Sequence, residues 1–102
     1  MWILETNAPS GELLKFRLPA GSIKTIGRST GAQFILDAAL VSRLHCQLTA
    51  TVESLQVKDL NSTNGTFVNG KRVRAAELTD GDRLGVGRFE LVVSKKSRKR
   101  SG

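Results

Sequence analysis

Apolar and polar residues alternate along this chain over short spans, broken about every ten residues by clusters of Gly, Pro, Asn and Asp. That pattern marks strands with one buried face, arranged as a sandwich or a barrel, and no helical periodicity of useful length competes with it. Trp2 to Glu5 opens as a strand, Ala8 to Gly11 turns, and Leu14, Phe16 and Leu18 alternate with Lys15 and Arg17 on a second strand. After a turn at Pro19 to Gly21, Ile23 to Ile26 forms a third strand that stops at Gly27-Arg28, and Phe34 to Leu36 a fourth. The segment DAALVSRL, Asp37 to Leu44, is short and ends in polar residues, so it is expected as loop with room for one helical turn.

The run His45 to Ala50 places Cys46 and Leu48 on one face, and Leu55 and Val57 repeat the pattern, which predicts an antiparallel pair. A polar break follows at Asn61 to Gly65. Thr66 to Val68 and Lys71 to Val73 then flank Asn69-Gly70, two residues that both tolerate positive φ and so predict a two-residue hairpin turn. Leu78 to Leu84 and the run Phe89, Leu91, Val93 complete the strands, with Asp80-Gly81 and Gly85-Val86-Gly87 as predicted turns. Beyond Val93 the sequence becomes basic and polar. One domain is therefore expected over residues 1–93, followed by a disordered tail over 94–102. No internal repeat is visible.

A hydrophobic share of 39% and a charged share of 25% are ordinary globular usage, so the bulk of the chain should fold. No stretch approaches the roughly 20 apolar residues of a membrane-spanning helix. The opening MWILETNAPSG lacks the basic and apolar regions of a signal peptide, and a soluble, intracellular protein is expected. The single cysteine, Cys46, excludes an internal disulfide and, with one histidine, leaves no set from which a zinc site could be built; no metal and no cofactor are expected. Cys46 itself reads as a small buried hydrophobe.

Charge changes the picture in one respect. The formal charge is +7, but five of the cations lie in the last eight residues, KKSRKRSG, and removing those five leaves +2. The high isoelectric point belongs to the tail and is no argument that the domain binds nucleic acid.

Three polar clusters stand at strand ends: Gly27-Arg28-Ser29, Ser42-Arg43-Leu44-His45 and Asn61-Ser62-Thr63-Asn64-Gly65. Strand ends of a sandwich gather at its rims, so loops distant in sequence can meet there. Together they offer arginine forks, hydroxyls and an amide, the equipment for an anion with several acceptor oxygens. Catalysis is poorly supported. Any triad would have to use His45, no G-x-S-x-G elbow accompanies it, and the glycines form neither a phosphate-cradling GxxxxGK[ST] loop nor a strand-to-helix fingerprint.

The order Gly27-Arg28, then Ser42-Arg43-Leu44-His45, then a strand pair, then DLNSTNGTFVNG resembles the forkhead-associated domain over about nine tenths of the chain. The resemblance implies an all-β sandwich of two antiparallel sheets with about eleven short strands, whose loops at one rim bind phosphothreonine peptides downstream of a Ser/Thr kinase. Carried over to this sequence, it implies that Arg28 contacts the phosphate and Ser42 donates its hydroxyl to a phosphate oxygen. Thr63 and Asn64 would hold the phosphothreonine and the adjoining peptide backbone, and Arg43 would add a further ligand contact. Gly27, His45 and Gly65 would brace the loops, and Ser29 and Thr30 either assist the phosphate or end a strand.

A phosphothreonine carries about −1.5 to −2 charge and three strong acceptor oxygens, which a guanidinium and hydroxyl donors can distinguish from an unmodified threonine. Two alternatives stand beside this reading: an interaction module of the same fold that ignores phosphorylation, and nucleic-acid association through Lys95 to Arg100. The runs STNGTFVNGKRV and LTDGDRLGVGRFELVV resemble bacterial members, which implies a cytoplasmic protein. The opening Met1-Trp2 is similar to nuclear DNA-break members, for which the tail would be a targeting signal.

Overall fold

A computed structural model describes residues 1–7 and 10–96. Among the described residues eleven strands follow one another with no helix: β1 (Trp2–Asn7), β2 (Leu13–Leu18), β3 (Ile23–Gly27), β4 (Phe34–Ile35), β5 (Cys46–Ala50), β6 (Leu55–Asp59), β7 (Thr66–Val68), β8 (Lys71–Val73), β9 (Ala75–Leu78), β10 (Arg83–Val86) and β11 (Phe89–Lys95). One sheet has the order β2-β1-β11-β10-β7-β8 and the other β4-β3-β5-β6-β9.

The alternation read from the sequence becomes the core. Cys46, Leu48 and Ala50 of β5 and Leu55 and Val57 of β6 are buried, and β5 pairs β6 antiparallel with Leu48 opposite Val57. From the other sheet Leu4, Leu84, Val86, Leu91 and Val93 join the same cluster. Their polar neighbours along each strand point outward, as a period of two requires. Trp2 is 3% exposed and its indole Nε1 donates to the Thr51 carbonyl at 3.1 Å, tying the first strand to the turn between β5 and β6. At one side Phe16 of β2 and Phe34 of β4 stack with ring centroids 4.4 Å apart, joining the two sheets.

Four expectations need correction. The sheets are not wholly antiparallel: β4 runs parallel to β3, with Ile26 opposite Phe34 and Gly27 opposite Ile35. The reason lies in the loop between them. The Gln33 N–H donates to the Thr25 carbonyl at 3.1 Å, which returns the chain to the level of Thr25 before β4 starts, so it continues in the same direction as β3. Gly85 and Val86 are not a turn but the end of β10, where Val86 is buried opposite Phe89 and Thr66; the reversal falls on Gly87 and Arg88.

The span Leu78 to Leu84 is divided, its first residue ending β9 in one sheet and Arg83 and Leu84 opening β10 in the other. The chain crosses over at Asp80-Gly81, where the Asp82 carboxylate accepts from the Thr79 N–H at 2.8 Å. Finally, β11 runs two residues beyond Val93. Ser94 and Lys95 pair with Ile3 and Trp2, and the Lys95 N–H donates to the Asp80 carboxylate at 2.8 Å. Of the turn expected at Ala8 to Gly11, Ala8 and Pro9 lie outside the described residues. So does the basic tail from Ser97 onward, and with it most of the run proposed for nucleic acid.

Core packing sets the stability expected of this fold. Leu91→Ala removes three heavy atoms from a fully buried position and is expected to cost about 2–5 kcal/mol, read as a lower urea midpoint at unchanged slope.

Candidate phosphate-binding rim

The three polar clusters meet at one rim, and backbone hydrogen bonds set their mutual positions. The Arg28 N–H donates to the Ser42 carbonyl at 3.0 Å and the Ser29 N–H to the Arg43 carbonyl at 3.2 Å, so the end of β3 is laced to the segment before β5. The approach is close enough to demand glycine. A Cβ placed on Gly27 would stand 2.0 Å from the Arg43 carbonyl oxygen, a backbone atom that cannot turn aside.

His45 joins that segment to the loop between β6 and β7. Its ring is fully buried; Nδ1 accepts from the Ser42 N–H at 3.1 Å, and Nε2 lies 2.8 Å from the Gly65 carbonyl. The tautomer with its hydrogen on Nε2 satisfies both partners. The loop itself is shaped by Asp59 at the end of β6. Its carboxylate accepts from the Ser62 N–H at 3.1 Å, from the Ser62 hydroxyl and from the Thr66 hydroxyl at 2.7 Å, while the Ser62 oxygen accepts from the Gly65 N–H at 3.0 Å. Asn61 and Gly65, at φ of 59° and 91°, take the left-handed conformation that Asn and Gly tolerate best.

The site groups stand on this frame. Arg28, Ser42, Arg43 and Thr63 line a surface cavity of about 620 Å³, together with Ser29, Gly31, Leu44 and Asn61. No carboxylate is among these residues. The Arg28 Nε donates to the Val41 carbonyl at 3.0 Å, which orients the guanidinium and leaves its two terminal nitrogens for a ligand. The Ser42 hydroxyl oxygen accepts from the Thr63 N–H at 3.0 Å, which leaves its hydrogen to donate.

Asn64 stands beside this cavity and is not among its lining residues. Its side-chain nitrogen donates to the Leu40 carbonyl at 3.1 Å, so the amide spans two loops. Thr30 is likewise outside the lining, and Ser29 is within it, its hydroxyl accepting from the Gly31 N–H at 2.9 Å. Leu44 and Asn61 were not singled out from the sequence. In the sequence Leu44 is one letter of the SRLH run, and the signal for Asn61 is an Asn at a turn, a residue type suited to positive φ.

Electrostatics separate framework from site. Burial tends to raise the Asp59 carboxyl, but hydrogen bonds from the Ser62 hydroxyl, the Thr66 hydroxyl and the Ser62 N–H outweigh it and hold the group below its ordinary value of 3.8. Burial pushes the Cys46 thiol up to about 12, which keeps it protonated and unreactive. Among the described residues no three metal-ligating side chains gather.

Two tests follow. Gly27→Ala should cost about 1–3 kcal/mol in chemical denaturation, since the strand end must move off the Arg43 carbonyl. Because Asp59 binds its proton more weakly folded than unfolded, its stabilisation is complete above pH 3.8 and is lost as pH falls through the lower folded value. Urea midpoints from about pH 5 to pH 2 should therefore fall less steeply in Asp59→Asn than in the parent. Part of the slope should survive, because Asp82 is lowered in the same sense by the Thr79 N–H. Equal slopes in the two proteins would remove Asp59 from this role.

The sequence model of the FHA domain matches residues 24–87, from within β3 to just past the end of β10. The chain is 40% identical over 92 residues to an ABC transporter ATP-binding/permease protein of Mycobacterium tuberculosis, covering 90% of this chain and 10% of that protein. It is 41% identical over 78 residues to FhaA, an FHA domain-containing protein of the same organism, covering 76% and 15%. The chain thus spans only 10% to 15% of the length of these two relatives. A solved structure from a study of phosphothreonine-dependent FHA domain interactions aligns at a TM-score of 0.81 and 35% identity, covering 94% of this chain and 97% of the other. The shared sandwich and the matched segment, which carries Gly27-Arg28, Ser42 to His45 and Thr63 to Gly65, lead to one conclusion: the chain belongs to the FHA domain family.

Proposed function

We propose that this rim reads phosphothreonine on partner proteins in Ser/Thr kinase signalling. One observation carries the reading. An oriented guanidinium with two free terminal nitrogens and a hydroxyl with a free hydrogen line one open cavity that contains no carboxylate. A phosphate dianion satisfies that set, whereas an unmodified threonine offers neither the charge nor the acceptor oxygens. The relationship to a structure studied for phosphothreonine-dependent interactions supports the same chemistry.

In this reading Arg28 grips the phosphate, Ser42 donates to one of its oxygens, and Arg43, exposed on the same wall, adds a second cation. Thr63, whose N–H is already engaged by Ser42, presents its side chain beside the phosphothreonine. Asn64 keeps its amide oxygen for the main chain of an extended peptide while its nitrogen is held by Leu40. Gly27, His45 and Gly65 keep the loops in register. The binding module runs from β1 to β11. The protein works by binding, as a cytoplasmic interaction module and not as an enzyme: its only histidine is fully buried and bonded through both ring nitrogens, so no base stands free beside Ser42. No helix among the described residues is long and apolar enough to cross a membrane.

Titration of the protein with a fluorescent library of phosphothreonine peptides, alongside matched phosphoserine and unphosphorylated peptides, tests the reading. Dissociation constants in the micromolar range, about −8 kcal/mol, are expected for phosphothreonine alone. Arg28→Ala should weaken binding by at least about a hundredfold and Ser42→Ala by about tenfold, in proportion to a charge-assisted pair and a single hydroxyl bond. Unchanged affinity in Arg28→Ala would refute the assignment and favour an interaction module that ignores phosphorylation.

A further inference from the structure

A second cavity, of about 420 Å³, adjoins the first and is lined by Asp59, Asn61, Ser62, Arg72, Val73 and Arg74. Asn61 borders both. The two arginines come from β8 and the residue after it, and both are exposed. Neither forms an ion pair with a carboxylate of the described residues, whose ion pairs join Lys15 to Glu5, Arg83 to Glu90 and Lys95 to Glu53. The carboxylate that lines the cavity, Asp59, has its oxygens engaged by Ser62 and Thr66.

The Arg72 guanidinium and the Arg74 backbone both lie against neighbouring parts of the rim. A Cβ on Gly65 would lie 2.6 Å from the Arg72 Nε, so this guanidinium rests against the backbone of the loop that carries Thr63 and Asn64. The Arg74 carbonyl accepts from the Asp59 N–H at 2.8 Å, which fixes the chain from which Arg74 projects. Two exposed arginines that make no ion pair stand beside an Asp59 carboxylate already engaged by Ser62 and Thr66, and one of them is seated on the loop that carries Thr63 and Asn64, so both have donors to offer an anion.

We infer that this cavity binds a second anionic group, a phosphate or a side-chain carboxylate, carried by the same phosphothreonine partner. The inference rests on the reading of the first cavity given above. It makes the preferred partner a doubly phosphorylated or acid-flanked segment, with the spacing between the two anions set by the passage from Arg28 past Asn61 to Arg72. Arg72 and Arg74 are then residues that determine specificity, and their contribution falls as salt rises, because both are exposed.

The test uses degenerate peptides with one fixed phosphothreonine and a second position, stepped residue by residue along both flanks, occupied by phosphothreonine, glutamate or alanine. Affinity is read by fluorescence polarisation at two salt concentrations. At one spacing, the second phosphate should tighten binding about tenfold over alanine. In the double variant Arg72→Gln, Arg74→Gln that ratio should fall to about one. A glutamate that matches the second phosphate identifies a carboxylate as the natural group, and one that gains little identifies a phosphate; both outcomes support the site. The inference is overturned if no spacing improves on alanine, or if the gain survives in the double variant. Should no singly phosphorylated peptide bind and Arg28→Ala change nothing, the reading of the first cavity fails and this one falls with it.

Discussion

The geometry of the rim depends on one buried imidazole. His45 receives the Ser42 N–H on Nδ1 at 3.1 Å and reaches the Gly65 carbonyl with Nε2 at 2.8 Å, and its own backbone donates to Ile26 at 2.8 Å and accepts from Leu60 at 2.9 Å. A single residue thereby connects β3, the segment before β5 and the loop between β6 and β7. Irregular loops of this kind carry large conformational entropy, and a rim built of three could drift apart. A buried polar ring has no such freedom, because each of its nitrogens must find a partner or lose the free energy of an unmade bond. Satisfying one loop's bond therefore fixes the other loop.

The same economy of polar groups runs through the site. Three side chains of the rim are half engaged inside the protein and half available outside it: Arg28 through Nε to Val41, Ser42 through its oxygen to Thr63, Asn64 through its nitrogen to Leu40. The internal half orients the group, so a ligand meets donors already aimed and loses less rotamer freedom on binding. Asp59 shows the complementary case. Three donors from Ser62 and Thr66 occupy its carboxylate, which forms no ion pair with the arginines around it. The outcome is a rim on which Arg28 and Arg43 border one cavity and Arg72 and Arg74 the next.

Much of the sandwich was legible in the one-dimensional pattern. The pairing of β5 with β6 follows from Cys46, Leu48, Leu55 and Val57, and the β7–β8 hairpin from Asn69-Gly70, where Asn69 has φ of 51° and Gly70 of 84°. Local rules served there because side-chain period and turn chemistry are properties of a few neighbouring residues. They failed where a distant strand decided. Gly85-Val86-Gly87 has the composition of a turn, yet Val86 is drawn into β10 by burial between Thr66 and Phe89. A Cβ on Gly85 would come within 3.1 Å of the Phe67 side chain across the ladder, tighter than an ordinary contact. Ser94 and Lys95 look like tail, and only pairing with Trp2 and Ile3 makes them strand.

The site divides along the same line. The sequence by itself determined the family and pointed to Arg28, Ser42, Arg43, Thr63 and Asn64 as candidates, since charge, hydroxyl and amide are properties of residue type and their order is recognisable. What only the tertiary structure decided is which atoms of those groups remain free, that Asn64 stands outside the cavity that Arg28 and Ser42 share, and that Asn61 and Leu44 border it. It also decided that Arg72, within a strand that the sequence assigns to the Asn69-Gly70 hairpin, lies against Gly65 in the loop that carries Thr63 and Asn64. These are relations between residues of different loops, created when the two sheets close on a common core, and no local pattern in the chain encodes them.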